Sequence, residues 1–228
     1  QIYKPRNAIR VVTATSLFDG HDAAINIMRR IIQDTGVEVI HLGHNRSVQE
    51  IVDAAVEEDV QGVAVSSYQG GHIEFFKYLV DLLRERGAGH VKVFGGGGGV
   101  IVPEEIKELE AYGVAKIFSP EDGAHLGLQG MINHLVKALD FPTVSGFDFP
   151  LEALSPENKR LVANLISAAE LAKVRQNGHL AKLRAEFQRR IGGRKVPVIG
   201  ITGTGGAGKS SLTDEIIVRI LHDLKQVR

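Results

Sequence analysis

The sequence contains no cysteine. That absence removes disulfides, thiolate metal ligands and cysteine nucleophiles together. An excess of charge of either sign is also missing: 27 Lys and Arg are balanced by 27 Asp and Glu, for a formal net charge of zero. Nothing global therefore points to nucleic acid or to an anionic membrane as a partner. No apolar run approaches the length that crosses a bilayer, and the opening QIYKPRNAIR lacks the apolar centre of a signal peptide. A cytoplasmic location is the expectation. Internal repeats are absent, and the one low-complexity tract is the glycine run from Gly95 to Gly99. What is present is ordinary for a globular protein, with 43% hydrophobic and 24% charged residues. A length of 228 residues suits one large domain, or one domain and part of another.

Residues 9–139 alternate between strand-like and helix-like patterns. IRVVTAT is a short β-branched run, and a helix is predicted from about Asp22 with Ile25, Met28 and Ile32 on one face. VEVIHLG reads as a second strand. Ser47 with Glu50 three residues on reads as a capping box, opening a helix whose apolar stripe is Val48, Ile51, Val52 and Ala55. GVAVSS is a third strand, followed by a helix from Phe75 to Glu85. VKVF is a fourth, with Pro103 near the start of the next helix. AKIFS is a fifth, and a helix from about Gly123 to Leu139 closes the series. Strands each followed by a helix, joined by short loops, imply a parallel sheet covered on both faces. Right-handed crossovers give the order 2-1-3-4-5, a flavodoxin-like α/β fold over residues 8–140.

DFPTVSGFDFP, residues 140–150, reads as a linker. Two helices are predicted after it, one from Ser155-Pro156 to about Arg175 and one from roughly His179 to Arg190. The basic residues Arg189, Arg190, Arg194 and Lys195 read as a solvated helix end. VPVIGIT gives a buried strand, GTGGAGKSS a glycine loop, and Leu212 to about Leu224 a last helix. A strand, a loop and a helix cannot enclose a core by themselves. Residues 141–194 are therefore assigned to linker helices, and 195–228 to the start of a second, incomplete domain.

Ligands of open parallel sheets bind beyond the carboxyl ends of the strands, where strand order reverses. The first strand is followed there by Asp19-Gly20-His21-Asp22, the third by SSYQGGH, the fourth by GGGGGV and the fifth by SPEDG. Glycines and small polar residues on several loops let a large ligand approach the backbone. Three readings are open for His21. It is an exposed member of a helix-cap turn, with Asp19 or Asp22 as the cap. It joins His41, His44 or His72 in a zinc site. Or it is a ligand whose second ring nitrogen is held by Asp19, which orients the ring and raises its basicity. A phosphoryl-accepting receiver domain shares the topology, but it wants a carboxylate where this chain has Ser66.

Asp19-x-His21, Ser66 at the end of the third strand and a glycine pair after the fourth resemble the cobalamin-binding domains of adenosylcobalamin-dependent mutases and methionine synthase. The pattern in that family is D-x-H-x-x-G, then S-x-L, then G-G. The resemblance implies that His21 is the lower ligand to cobalt in place of the cofactor's own base, with Asp19 hydrogen-bonded to it. Gly20 and Asp22 lie on the same turn, and Gly20 lets the corrin sit close. The nucleotide tail is then expected between sheet and helices, past Ser66, Tyr68, Gly70 and either Gly95-Gly96 or Gly98-Gly99. Two positions depart from the pattern, Ala24 for its glycine and Tyr68 for its leucine.

GTGGAGKS, from Gly203 to Ser210, matches G-x-x-x-x-G-K-[ST] after an apolar run and before a helix, the setting of a P-loop. Backbone from Gly203, Gly205, Gly206, Ala207, Gly208, Lys209, Ser210 and Ser211 would cradle phosphates. Lys209 would reach the β- and γ-phosphates, and Ser210 would ligate Mg²⁺. The bland alternative is a glycine-rich helix cap with a solvated lysine. Taken together, the chain resembles acyl-CoA mutases in which a cobalamin domain, a G-protein chaperone and a mutase barrel share one polypeptide. That resemblance implies adenosylcobalamin, GTP or GDP with Mg²⁺, an acyl-CoA substrate held by a barrel outside this sequence, and a homodimer. It implies radical interconversion of isobutyryl and n-butyryl thioesters, with GTP hydrolysis gating cofactor loading. This stretch alone is then expected to be inactive. Two other function classes stay open: a corrinoid-binding sensor or methyl carrier, and a P-loop ATPase with a flavodoxin-like accessory domain.

Overall fold

Every β-branched run predicted before residue 120 forms a strand. A computed structural model describes residues 2–146, 148–175, 178–193 and 197–224. β1 (Arg10–Ser16), β2 (Glu38–Arg46), β3 (Gly62–Ser66), β4 (Lys92–Gly96) and β5 (Lys116–Phe118) form one sheet in the order β2-β1-β3-β4-β5. All neighbouring pairs are parallel. The helices between and after them are α1 (Ala23–Asp34), α2 (Val48–Glu57), α3 (His72–Glu85), α4 (Pro103–Tyr112) and α5 (Pro120–Leu139). The flavodoxin-like α/β fold is the observed one.

Alternation along the strands sorts side chains into two cores. Val12, Ala14, Val63, Val65, Val93 and Ile117 pack with α2, α3 and α4, where Phe76, Leu79 and Leu109 are fully buried. Val11, Ala64, Phe94 and Phe118 pack on the other face with α1 and α5, against Ile32, Ile132 and Leu139. This alternation continues past Phe94, so Gly95 and Gly96 face opposite cores.

α1, α2 and α4 begin within a residue or so of where the sequence pattern puts them, whereas α3 and α5 do not. The capping box of α2 forms, with Ser47 accepting from the Glu50 amide. α3 starts at His72 and α5 at Pro120, each one turn earlier than expected. For α5 the reason is local: Ser119 caps through the Asp122 amide, and Pro120 suits the first helical position. Gly127 (φ 64°, ψ 170°) interrupts α5.

α6 (Lys159–Arg175) begins later than Ser155. Ser155 Oγ accepts from Asn158 N–H at 3.3 Å within a turn, and Asn158 Oδ1 in turn accepts from Leu161 N–H at 3.2 Å. Asn158 is therefore the cap. α6 is tied to the sheet domain by Arg10, which donates to Ser167 Oγ at 2.9 Å, and by Asn164, which donates to Asp59 at 2.8 Å.

The chain divides into two compact units, Gln1–Ala181 and Lys182–Arg228. The second contains most of α7 (His179–Ile191), a loop and α8 (Lys209–Asp223). The strand predicted at VPVIGIT does not form in its described part: residues 197–202 carry no strand, and Val198 and Ile199 are 93% and 80% exposed. A strand persists only where a neighbour supplies its ladder, and this unit has none among the described residues. Arg194, Lys195 and Val196 lie outside the described residues. Arg189 and Arg190 pair with Glu186 one turn back, as a solvated helix end does. Among the described residues, no helix is long and apolar enough to cross a membrane.

Candidate functional site

Strand order reverses between β1 and β3, and the site is built across that point. β1 runs into a tight turn closed by Asp19 N–H donating to the Ser16 carbonyl at 3.1 Å. The turn leaves Asp19 only 2% exposed. Its Oδ1 accepts from the His21 backbone N–H at 2.9 Å and stands 2.8 Å from His21 Nδ1. Its Oδ2 accepts from the backbone N–H of Tyr68, beyond the end of β3. One carboxylate thus ties the β1 loop to the β3 loop and holds an imidazole.

Burial pushes the Asp19 carboxyl up, but the bonds from the His21 and Tyr68 amides and from the His21 ring hold it below the usual aspartate range. A carboxylate facing Nδ1 fixes the proton there, which leaves the Nε2 lone pair free. The His21 side chain is 77% exposed, so that lone pair faces outward. The Tyr68 ring lies beside it, centroids 5.5 Å apart and tilted by 39°. Asp22 occupies the cap position of α1 but makes no side-chain cap bond.

A zinc site does not assemble. Among the described residues no group of three metal-ligating side chains comes together. His41 Nδ1 is engaged by Thr13 Oγ1 at 2.9 Å. His72 is buried, with Nδ1 3.0 Å from the Gln69 carbonyl and Nε2 2.9 Å from Glu105. Glu105 also accepts from the Val102 amide at 3.0 Å, and these two bonds lower its pKa. His72 therefore joins the loop after β3 to the start of α4.

Beside this turn a cavity of about 360 Å³ opens between the sheet, α1 and α5. Ala24 and Met28 of α1, Phe94 of β4 and Met131 of α5 give it an apolar wall, and Ser66, Tyr68, Gly95 and Gly96 line it as well. A Cβ on Gly96 would meet only the Phe118 carbonyl, at 3.5 Å. A Cβ on Gly95 would lie 2.5 Å from Phe76 Cζ and 2.6 Å from Ile117 Cδ1, in the opposite core. Gly98 (φ 55°) accommodates the Tyr68 ring, whose Cε1 would stand 2.4 Å from a Cβ there. Gly70 and Gly99 lie in the adjoining loops, off the cavity wall. Above Gly20 nothing would meet a Cβ within 4 Å.

The apolar wall from α1 and α5 was not visible as a site in the sequence, because its residues read as ordinary core. Nor was Thr15, which pairs with Ser66 across β1 and β3. Its Oγ1 is, among the described residues, the one buried side-chain polar atom without a hydrogen-bond partner. An exposed imidazole held by a buried carboxylate, beside an apolar cavity with Ser66 on its rim, fits a ligand that takes a nitrogen donor at one end and places an apolar arm between sheet and helices. The glycine loop of the second unit is also formed. Gly206 (φ 75°) and Gly208 (φ 76°) take left-handed conformations, and α8 opens at Lys209. The Lys209 ammonium donates to the Thr204 carbonyl at 2.7 Å across the loop.

Residues 9–126 match the family described as the B12 binding domain. The chain is 58% identical over 229 residues to the fused isobutyryl-CoA mutase of Geobacillus kaustophilus (strain HTA426), covering 100% of this chain and 21% of that one. It is 58% identical over 219 residues to the fused isobutyryl-CoA mutase of Cupriavidus metallidurans, covering 96% and 20%. The match is to the N-terminal part of these proteins, and the chain spans about a fifth of their length. It is 36% identical over 109 residues to the 2-hydroxyisobutanoyl-CoA mutase small subunit of Aquincola tertiaricarbonis, covering 48% of this chain and 79% of that subunit.

Proposed function

Because this chain belongs to the B12-binding domain family, we propose that it is the cofactor-holding part of an adenosylcobalamin-dependent acyl-CoA mutase, with His21 as the lower ligand to cobalt. The observation that carries this reading is the His21 ring itself, outward-facing yet held 2.8 Å from a buried carboxylate. Adenosylcobalamin, when bound, supplies a cobalt–carbon bond weak enough to open homolytically. The chain's own contribution is to hold and orient. Asp19 keeps the proton on Nδ1, which sets the ring's direction and makes Nε2 the better donor. Gly20 leaves the space above the turn open. The apolar cavity, with Ser66 on its rim, takes the nucleotide tail and excludes water from it.

The relatives' name supports isobutyryl-CoA as the substrate class. The proposed reaction is its rearrangement to n-butyryl-CoA by a barrel outside this sequence, in a cytoplasmic homodimer. Residues 8–140 form the cobalamin domain, 141–194 lead out of it, and 195–228 begin a GTP-hydrolysing chaperone domain. Its loop would hold GTP or GDP through backbone N–H groups, with Ser210 on Mg²⁺. Lys209 must leave the Thr204 carbonyl to reach a phosphate. In the full-length protein, Lys209→Ala is expected to weaken binding of a fluorescent GDP analogue by about tenfold or more. Unchanged GDP affinity would reduce the loop to a helix cap.

The axial ligand is tested by electron paramagnetic resonance. Uniformly ¹⁵N-labelled protein loaded with cob(II)alamin is expected to show doublet superhyperfine lines from one axial ¹⁵N, lost in His21→Ala. Triplets would mean that the corrinoid keeps its own ¹⁴N base, and the reading would fall.

A further inference from the structure

The turn that presents His21 contains an unusual residue of its own. Phe18 sits at the third position of the turn closed between Ser16 and Asp19, with φ 64°. That position of a type II turn is normally given to glycine, because a left-handed backbone strains any side chain with a Cβ. A phenylalanine there is strained. Nothing in the interior compensates for it, since Phe18 is 85% exposed. The conformation is nevertheless held from outside the turn: Asn45, at the end of β2 and itself left-handed (φ 55°), accepts the Phe18 N–H at 2.8 Å. Backbone strain that a neighbouring element holds in place clusters at ligand sites. The ring so displayed stands three residues before His21, on the same loop.

We infer that Phe18 is a corrin-contacting residue: its ring, displayed from a backbone that Asn45 clamps, packs on the apolar underside of the macrocycle that His21 ligates. The inference rests on the cobalamin reading above, and it adds a binding residue that the His21–Asp19 pair does not require. The strain is then the cost of keeping an aromatic ring outside the core, ready for a flat apolar ligand.

Cob(II)alamin binding by the 228-residue chain, measured by equilibrium dialysis beside thermal unfolding, tests it. Phe18→Ala and Phe18→Gly are each expected to raise Kd by about tenfold, and Phe18→Trp to stay within about twofold of wild type. The fold is expected to survive, with Phe18→Gly at least as stable as Phe18→Ala, because glycine suits the left-handed position. The axial nitrogen lines of His21 persist in all three. Unchanged affinity in Phe18→Ala, with those lines present, overturns the inference and leaves the cobalamin reading standing. Affinity lost only in step with unfolding also overturns it, by assigning the ring a structural role. A wild-type chain that takes up no cob(II)alamin, or shows triplets, removes the reading and the inference together.

Discussion

Replacing Asp19 by alanine is expected to lower cobalamin affinity by about 10- to 100-fold, the usual effect of removing the partner that orients a metal-bound histidine. Asp19 does more than orient, because its second oxygen accepts the Tyr68 backbone N–H. Losing that acceptor strands an amide beside the cavity and destabilises the domain by about 1–3 kcal/mol. Asp19→Asn separates the two effects only in part. An asparagine has one acceptor oxygen, while His21 and Tyr68 both present donors. One of the two contacts must fail, so Asn is expected to fall between wild type and Ala in both measurements. Equal affinities for all three would show that His21 needs no second partner.

The same carboxylate predicts a pH dependence. Its pKa is lowered in the folded state, so its contribution to stability is complete above the unfolded value, about 3.9. That contribution is lost as pH falls through the lower folded value. The gap in melting temperature between wild type and Asp19→Ala is therefore expected to be constant near neutrality and to close under acid. A gap that instead widened toward low pH would mean the group is held neutral.

Whether each feature was legible in the sequence depended on how far apart its parts lie along the chain. The Asp19–His21 pair spans two residues, so its geometry is nearly forced by the turn, and the sequence carried it. The Asp19–Tyr68 bond spans 49 residues; it exists only because β1 and β3 are neighbours, and no local pattern encodes it. The sheet order was legible because alternating strands and helices with right-handed crossovers leave few alternatives. The early starts of α3 and α5 were missed because Gly70-Gly71 and Ser119-Pro120 read as loop, when they are cap and first turn. The segment around Val198 and Ile199 has a strand's composition, but composition does not supply a neighbouring strand. The glycine run held the least information of all. Five identical letters conceal five different environments, because a side chain's absence has meaning only once the face it would occupy is known.

That distinction makes the two glycines of β4 the sharpest test of the cavity. In Gly95→Ala the new methyl would lie 2.5 Å from Phe76 Cζ and 2.6 Å from Ile117 Cδ1, both fully buried. Neither side chain can yield without moving the core between the sheet and α3. Gly95→Ala is therefore expected to cost about 1–3 kcal/mol, read as a lower denaturant midpoint at unchanged slope. Gly96, one residue on, faces the other way, and its nearest obstacle is a carbonyl at 3.5 Å. A larger side chain there projects into a cavity of about 360 Å³. Gly96→Leu is expected to hold the unfolding midpoint while weakening cobalamin binding by about tenfold or more, since it fills space meant for the tail. The two variants thus move opposite observables, although they alter adjacent residues of one strand. Wild-type cobalamin affinity in Gly96→Leu would mean that the tail lies elsewhere, and that this cavity is only an imperfection in the packing of α1 and α5 on the sheet.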